Sequence, residues 1–134
     1  MLAAGPTWQI LLVAGLYSLG AHGIMTLNDF KAIAGDRATG IRSLPATLGP
    51  ARAARIAAWT MAVPQAAVIA LLLAWERPLH AAVVAVALAL QGLAMRRLMT
   101  DPEKLAPWFN ATGVTLYVLG MLASAVALAS MAAP

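Results

Sequence analysis

Four long runs of apolar residues constrain the fold of this chain more than any other feature of its sequence. The runs cover about residues 7–27, 51–75, 79–99 and 106–131. Each run is long enough to cross the roughly 30 Å of hydrocarbon in a bilayer as an α-helix. None of them shows the period-two alternation of a membrane barrel strand. The sequence therefore predicts an all-α membrane protein with four transmembrane helices.

The composition supports a lipid environment for these runs. Hydrophobic residues make up 62% of the 134 residues and charged residues only 10%, whereas a soluble domain carries about 25% charged residues. The net charge of +4 comes from basic residues in short segments between the apolar runs. These residues indicate membrane topology, and we expect no nucleic-acid partner. The chain has no cysteine, which excludes disulfides and thiolate metal sites.

Basic residues are distributed unequally between the two sides of the predicted bundle. One side carries eight basic residues, and the opposite side carries only Arg77, in the turn between the second and third runs. By the positive-inside rule, the basic side faces the cytoplasm and both termini lie on the opposite side. The eight residues of the basic side are Lys31, Arg37, Arg42, Arg52, Arg55, Arg96, Arg97 and Lys104.

The polar segment 28–50 concentrates charge between the first and second runs. Asp29 and Asp36 are seven residues apart, so a helix continued through them would place both on one face, roughly 10 Å apart along its axis. Paired carboxylates suit Mg²⁺, which binds hard oxygen ligands and shares them with substrate phosphates. Lys31, Arg37 and Arg42 supply the positive charge that a diphosphate needs. On spacing alone, a solvated loop whose acids neutralise its own basic residues fits somewhat better than a metal site.

The sequences of two segments resemble motifs of one known family. Residues 28–49 read NDFKAIAGDRATGIRSLPATLG, and residues 106–120 read APWFNATGVTLYVLG. The first is similar to the second aspartate motif of the chlorophyll and bacteriochlorophyll synthase branch of the UbiA-type intramembrane prenyltransferases. The second is similar to the start of the last helix of those enzymes, so the resemblance covers nearly the whole chain.

This resemblance implies a fold and an activity. Family members have nine transmembrane helices around a central cavity, and the four runs look like helices six to nine, the C-terminal half. The implied reaction is Mg²⁺-dependent transfer of a C20 prenyl group, geranylgeranyl or phytyl, from its diphosphate to the propionate of a chlorophyllide or bacteriochlorophyllide. The resemblance assigns Asp29 and Asp36 to magnesium and Lys31, Arg37 and Arg42 to the diphosphate. It also implies residence in a bacterial inner membrane, with the polar segment on the cytoplasmic side.

Three further polar residues are weaker candidates for the same site. His22 lies about two turns before Asp29, and Asn28 directly precedes it. Asn110 lies near the start of the fourth run. Contact with the pigment or the cavity is one role for them, and helix packing is the other, with a buried, hydrogen-bonded state the commoner one for a histidine. Gln91, inside the third run, is expected to form a hydrogen bond between helices.

Two departures from the family pattern leave a second interpretation open. Ala34 stands where the family commonly has an acid just before Gly-Asp-Arg. The first acidic motif of the family is not found in the 134 residues. We therefore expect the chain alone to be inactive or nearly so, with the missing ligands supplied by an N-terminal half or by a second copy. The alternative is a membrane protein of the same fold that binds pigment or takes part in assembly without catalysis.

Overall fold

The computed structural model describes residues 7–28, 40 and 48–132, and these described residues form four long α-helices. All four are long and apolar enough to cross a membrane. The predicted all-α membrane fold with four transmembrane helices is therefore confirmed. The helices are α1 (Thr7–Asn28), α2 (Pro50–Ala74), α3 (Pro78–Leu98) and α4 (Pro102–Ala132).

The helices pack as an antiparallel bundle with two distinct ends. Short turns at 75–77 and 99–101 join α2 to α3 and α3 to α4, and such short connections make neighbouring helices antiparallel. Helix α1 packs against both α2 and α4, so each helix has two neighbours, and α2 also touches α4 across the centre. We call the end where α1 and α3 finish and α2 and α4 begin the motif end, because the polar segment follows α1 there. The opposite end is the far end.

Prolines mark where three of the helices begin. Pro50, Pro78 and Pro102 are the first residues of α2, α3 and α4. A proline fits the first turn because its missing N–H has no partner within the helix at that position. Gly49, just before α2, has a φ of 88°, a conformation that glycine adopts without steric cost. Local sequence therefore sets the starts of these helices.

Helix α4 begins four residues before the predicted run, whereas the ends of the other three helices agree with prediction to within one residue. The backbone carbonyl of Asp101 accepts the N–H of Leu105 at 2.9 Å. The carboxylate of Asp101 also accepts the N–H of Lys104, at 3.4 Å. This cap starts the helix inside the polar Pro-Glu-Lys turn, which hydropathy assigns to a loop.

The centre of the bundle contains a buried polar contact between α2 and α3. Gln65 and Gln91 are both fully buried, and their side-chain amides hydrogen-bond each other. The interhelical hydrogen bond predicted for Gln91 is therefore confirmed. Such a bond fixes the register of two helices, because each amide would otherwise be left unsatisfied in an apolar interior.

Candidate functional site

A long apolar groove runs along the side of the bundle between α1 and α4. Its volume is about 500 Å³, and its walls extend from Ile10 to Ile24 on α1 and from Tyr117 to Leu128 on α4. The α1 wall is roughly 21 Å long at 1.5 Å per residue, which is about two thirds of the hydrocarbon thickness. The elongated shape and apolar lining suit a linear hydrocarbon chain that lies along the membrane normal.

Three hydroxyl groups connect the two walls of the groove. Tyr17 and Ser124 share a hydrogen bond of 3.0 Å between their hydroxyls. The Tyr117 hydroxyl donates to the backbone carbonyl of Tyr17, and the two phenol rings meet edge to face with centroids 5.3 Å apart. These contacts join α1 to α4 and leave the remaining groove surface apolar. Sequence analysis did not single out this cluster, although a hydroxyl inside an apolar run always needs a partner.

The groove leads towards the polar segment at the motif end. Ile24 lines the groove, and α1 ends one turn later at Asn28. The first predicted magnesium ligand, Asp29, is therefore the residue directly after the helix. The predicted site residues that lie outside the described part of the chain are Asp29, Lys31, Asp36, Arg37 and Arg42. Whether the two carboxylates share one face stays a prediction.

The acidic residues of the described part of the chain do not form a site for the implied Mg²⁺. Within residues 7–28, 40 and 48–132, no group of three or more His, Cys, Asp or Glu residues converges. Glu76 lies at the far end, and Asp101 caps α4. None of the described acids lines the groove. Any carboxylate ligand near its motif end would therefore have to come from outside the described ranges, and magnesium binding by Asp29 and Asp36, whose oxygens suit Mg²⁺, stays a prediction.

His22 and Asn110 lie on different helices, and neither lines the groove. His22 is exposed, and its Nδ1 donates to the backbone carbonyl of Ser18 at 3.1 Å. The expected buried histidine is therefore not what the structure shows. Asn110 is half-buried on the third turn of α4. Pigment contact by His22, Asn28 or Asn110 stays a prediction.

Positive charge gathers at the motif end in the described helices as well. The guanidinium carbon of Arg97 lies 4.7 Å above the centroid of the Trp108 ring, a cation–π contact that joins the end of α3 to the start of α4. At the far end, where Arg77 lies, Trp8 and Trp75 meet edge to face with centroids 5.8 Å apart. Tryptophans at both ends of a bundle are typical interfacial anchors. The described basic residues of the motif end are Arg52, Arg55, Arg96, Arg97 and Lys104.

Comparison with known families decides what kind of protein carries this groove. The model of the UbiA prenyltransferase family matches residues 1–119. The chain belongs to the UbiA prenyltransferase family. It is an integral membrane protein, as its four apolar helices also indicate. The family resemblance stated from the two sequence segments is thereby confirmed.

Individual members of the UbiA family narrow the resemblance further. The chain is 54% identical over 126 residues to the bacteriochlorophyll synthase 33 kDa chain of Cereibacter sphaeroides, covering 94% of this chain and 42% of that protein. It is 52% identical over 124 residues to the bacteriochlorophyll synthase 34 kDa chain of Chloroflexus aurantiacus, covering 92% of this chain and 40% of that protein. It is 33% identical over 128 residues to the chloroplastic chlorophyll synthase of Oryza sativa subsp. japonica, covering 90% and 32%.

These alignments also define how much of each relative the chain represents. The chain spans about two fifths of the length of the bacteriochlorophyll synthases that it matches. No solved structure matches it.

Proposed function

We propose that this chain is the part of a chlorophyll- or bacteriochlorophyll-synthase-like prenyltransferase that carries one acidic motif and the apolar groove leading to it. The observation that carries the proposal is the 54% identity to a bacteriochlorophyll synthase over 94% of this chain. The substrates are a C20 prenyl diphosphate, with a geranylgeranyl or phytyl group, and a chlorophyllide or bacteriochlorophyllide. The four helices correspond to helices six to nine of the nine-helix fold.

The leaving group determines what the polar segment does in this reaction. The carbon–oxygen bond of the prenyl diphosphate breaks, and negative charge develops on the departing diphosphate. Asp29 and Asp36 would hold magnesium, which would neutralise that charge. Lys31, Arg37 and Arg42 would stabilise the diphosphate with charge-assisted hydrogen bonds. Basic side chains and a metal ion placed where charge develops lower the barrier to bond cleavage.

The groove serves the hydrocarbon part of the substrate. An allylic cation forms as the diphosphate leaves, and water would capture it. The apolar walls between Ile10 and Leu128 exclude water and hold the prenyl chain against α1 and α4. The pigment's propionate then forms the new carbon–oxygen bond. This carboxylate is ionised near pH 7, so the reaction needs no strong general base.

The proposal also includes the membrane in which the chain resides and the side on which the polar segment lies. The excess of basic residues at the motif end supports, by the positive-inside rule, a polar segment on the cytoplasmic side of a bacterial inner membrane. The ligands of the family's first acidic motif come from an N-terminal half, or the polar segment of a second copy placed parallel to this chain takes their place.

A non-enzymatic role as a pigment-binding or assembly protein is the second candidate. The observation that favours it is Ala34, at a position where the family commonly has an acid. Against it stands the retention of Asp29, Lys31, Asp36 and Arg37, because buried or membrane-proximal charge is costly to keep without a use.

The decisive experiment compares the chain alone with a completed enzyme. The N-terminal part of the Cereibacter sphaeroides relative is joined to this chain, and both proteins are assayed with bacteriochlorophyllide, geranylgeranyl diphosphate and Mg²⁺. We expect esterified pigment from the joined protein and almost none from the chain alone. Turnover by the chain alone at the rate of the complete relative would contradict the need for the family's first acidic motif. A folded joined protein that binds pigment without turnover would favour the non-enzymatic role.

A further inference from the structure

A second cleft lies on the side of the bundle opposite the groove, between α2 and α3. Its volume is about 270 Å³, below the roughly 300–1,000 Å³ of pockets that enclose a whole small molecule. The cleft therefore accommodates part of a larger molecule. Because α1 and α4 pack on the other sides of α2 and α3, this cleft is separate from the prenyl groove. It is lined by Arg55, Ala58, Trp59, Ala62, Met95, Arg96 and Met99.

Both charges of the cleft lie near its end at the membrane surface. Arg55 lies five residues after the start of α2, and Arg96 lies two residues before the end of α3. Both are exposed, and neither forms an ion pair with an acid of the described residues. The neighbouring Arg97 differs, because its guanidinium lies over Trp108. Two guanidiniums from adjacent helices, neither paired with an acid of the described residues, therefore line one cleft at the motif end.

The deeper part of the cleft is apolar. Arg55, Trp59 and Ala62 fall on one face of α2, because they are spaced by four and three residues. Ala62 lies roughly 10 Å further into the membrane than Arg55. The small side chains of Ala58 and Ala62 leave the space open, and Trp59 borders it with 68% of its surface exposed. The cleft thus combines a cationic outer end with an apolar inner end.

We propose that this cleft binds one anionic phospholipid, with the phosphate between Arg55 and Arg96 and part of an acyl chain along Ala58 and Ala62. Basic pockets between transmembrane helices suit anionic headgroups. A free phosphate would leave the apolar inner end without a partner, and a zwitterionic lipid would bring no net negative charge to the two guanidiniums. The lipid bridges α2 and α3 at the end where the polar segment begins.

The test is a titration of the delipidated 134-residue chain with phosphatidylglycerol or phosphatidylcholine in detergent, followed by native mass spectrometry. Each basic residue near an anionic headgroup contributes roughly fivefold to affinity. We therefore expect R55Q and R96Q each to weaken phosphatidylglycerol binding about fivefold. The matched control is R52Q, which removes the same charge from the same end of α2 but does not line the cleft. Binding to R52Q should change less than about twofold. Helical circular dichroism checks that each variant is folded.

Three results would overturn the proposal. Equal weakening by R52Q and R55Q would mean that the bundle end attracts lipid through its overall charge. Equal binding of phosphatidylcholine and phosphatidylglycerol would remove the role of the headgroup. Displacement of the lipid by equimolar inorganic pyrophosphate would assign the two arginines to a diphosphate.

Discussion

The side-chain amides of Gln65 and Gln91 face each other between α2 and α3 and exchange two hydrogen bonds. Gln65 Nε2 donates to Gln91 Oε1 at 2.9 Å, and Gln91 Nε2 donates to Gln65 Oε1 at 2.8 Å. A further bond runs from Gln65 Nε2 to the carbonyl of Met61 at 2.9 Å. In an apolar interior this pairing fixes the register of α2 against α3, because a shift of either helix along its axis would leave amide groups unpaired.

Replacement of one glutamine should therefore cost more than replacement of both. Gln91→Met leaves the Gln65 carbonyl buried without its partner, which costs about 1–3 kcal/mol. Adding Gln65→Met removes that group, so the double variant should recover part of the loss. Unfolding of the four proteins in sodium dodecyl sulfate gives the coupling energy. We expect a coupling energy of about 0.6–2 kcal/mol, the usual range for hydrogen bonds between transmembrane helices. Strictly additive losses would show that the pair does not act as a unit.

Gly23 lies against the backbone of α2, and a methyl group there should destabilise the bundle. A Cβ at Gly23 would lie 2.6 Å from the backbone oxygen of Ala57 and 2.6 Å from Cγ of Met61. The carbonyl cannot move aside without shifting α2, so Gly23→Ala should cost about 1–3 kcal/mol. Detergent unfolding monitored by circular dichroism measures this loss.

Gly15 supplies the control for that substitution on the same helix. A Cβ at Gly15 meets nothing within 4 Å, and alanine is the better helix former by about 0.5–1 kcal/mol. Gly15→Ala should therefore be neutral or slightly stabilising. Equal losses at Gly15 and Gly23 would contradict the close helix contact.

The sequence predicts the helices well but predicts their side-chain contacts poorly, for a physical reason. Helix position follows from run length and hydropathy, so the boundaries of α1, α2 and α3 agree with prediction to within one residue. The cap that starts α4 at Pro102 depends on the side chain of Asp101, which hydropathy cannot detect. The bond between Tyr17 and Ser124 joins residues 107 positions apart. Such a pairing appears only after the helices pack.

Some features of the candidate site are predictable from a sequence motif, whereas others depend on how the helices pack. Asp29 and Asp36 are predicted from the resemblance of residues 28–49 to the second aspartate motif of the family, and they lie outside the described residues. The exposure of His22 depends on which face of α1 packs against α2 and α4. All four spans carry apolar residues on both their buried and their lipid-facing sides. Hydropathy therefore does not tell which side faces the core, and the groove between α1 and α4 was not predictable as a shape.

The membrane orientation can be tested with single cysteines, because the chain has none of its own. Thr100→Cys lies in the exposed turn at the motif end, and Glu76→Cys in the exposed turn at the far end. In intact bacterial cells, a membrane-impermeant maleimide should label Glu76→Cys and spare Thr100→Cys. Permeabilised cells provide the control, since both should then be labelled. The reverse pattern in intact cells would place the polar segment outside the cytoplasm.

Filling the groove should discriminate between prenyl chain lengths. Ala14 lines the part of the groove away from the motif end, and replacing it by Phe in the joined protein removes space for the far part of the tail. Loss of contact with two methylene groups costs about 1.6 kcal/mol, so use of a C20 diphosphate should fall roughly tenfold. Use of a C10 diphosphate should change much less. The readout is kcat/KM for each donor.

Ala66→Phe is the control for bulk in that experiment. Ala66 is exposed on α2 and does not line the groove, so this variant should treat both donors as the parent does. Equal losses of C10 and C20 turnover in Ala14→Phe would indicate damage to assembly and not occlusion of a prenyl channel.

The central claim concerns the carboxylates that follow α1, and one rate measurement tests it most directly. In the joined protein, Asp29→Asn and Asp36→Asn should each lower the rate of pigment esterification about 10²- to 10³-fold, the usual cost of losing one group that stabilises developing charge. Asp101→Asn is the control, because Asp101 lies at the same end but caps α4. It should retain most of the activity. If the double variant of Asp29 and Asp36 esterified pigment as fast as the parent, the account of this site would be wrong.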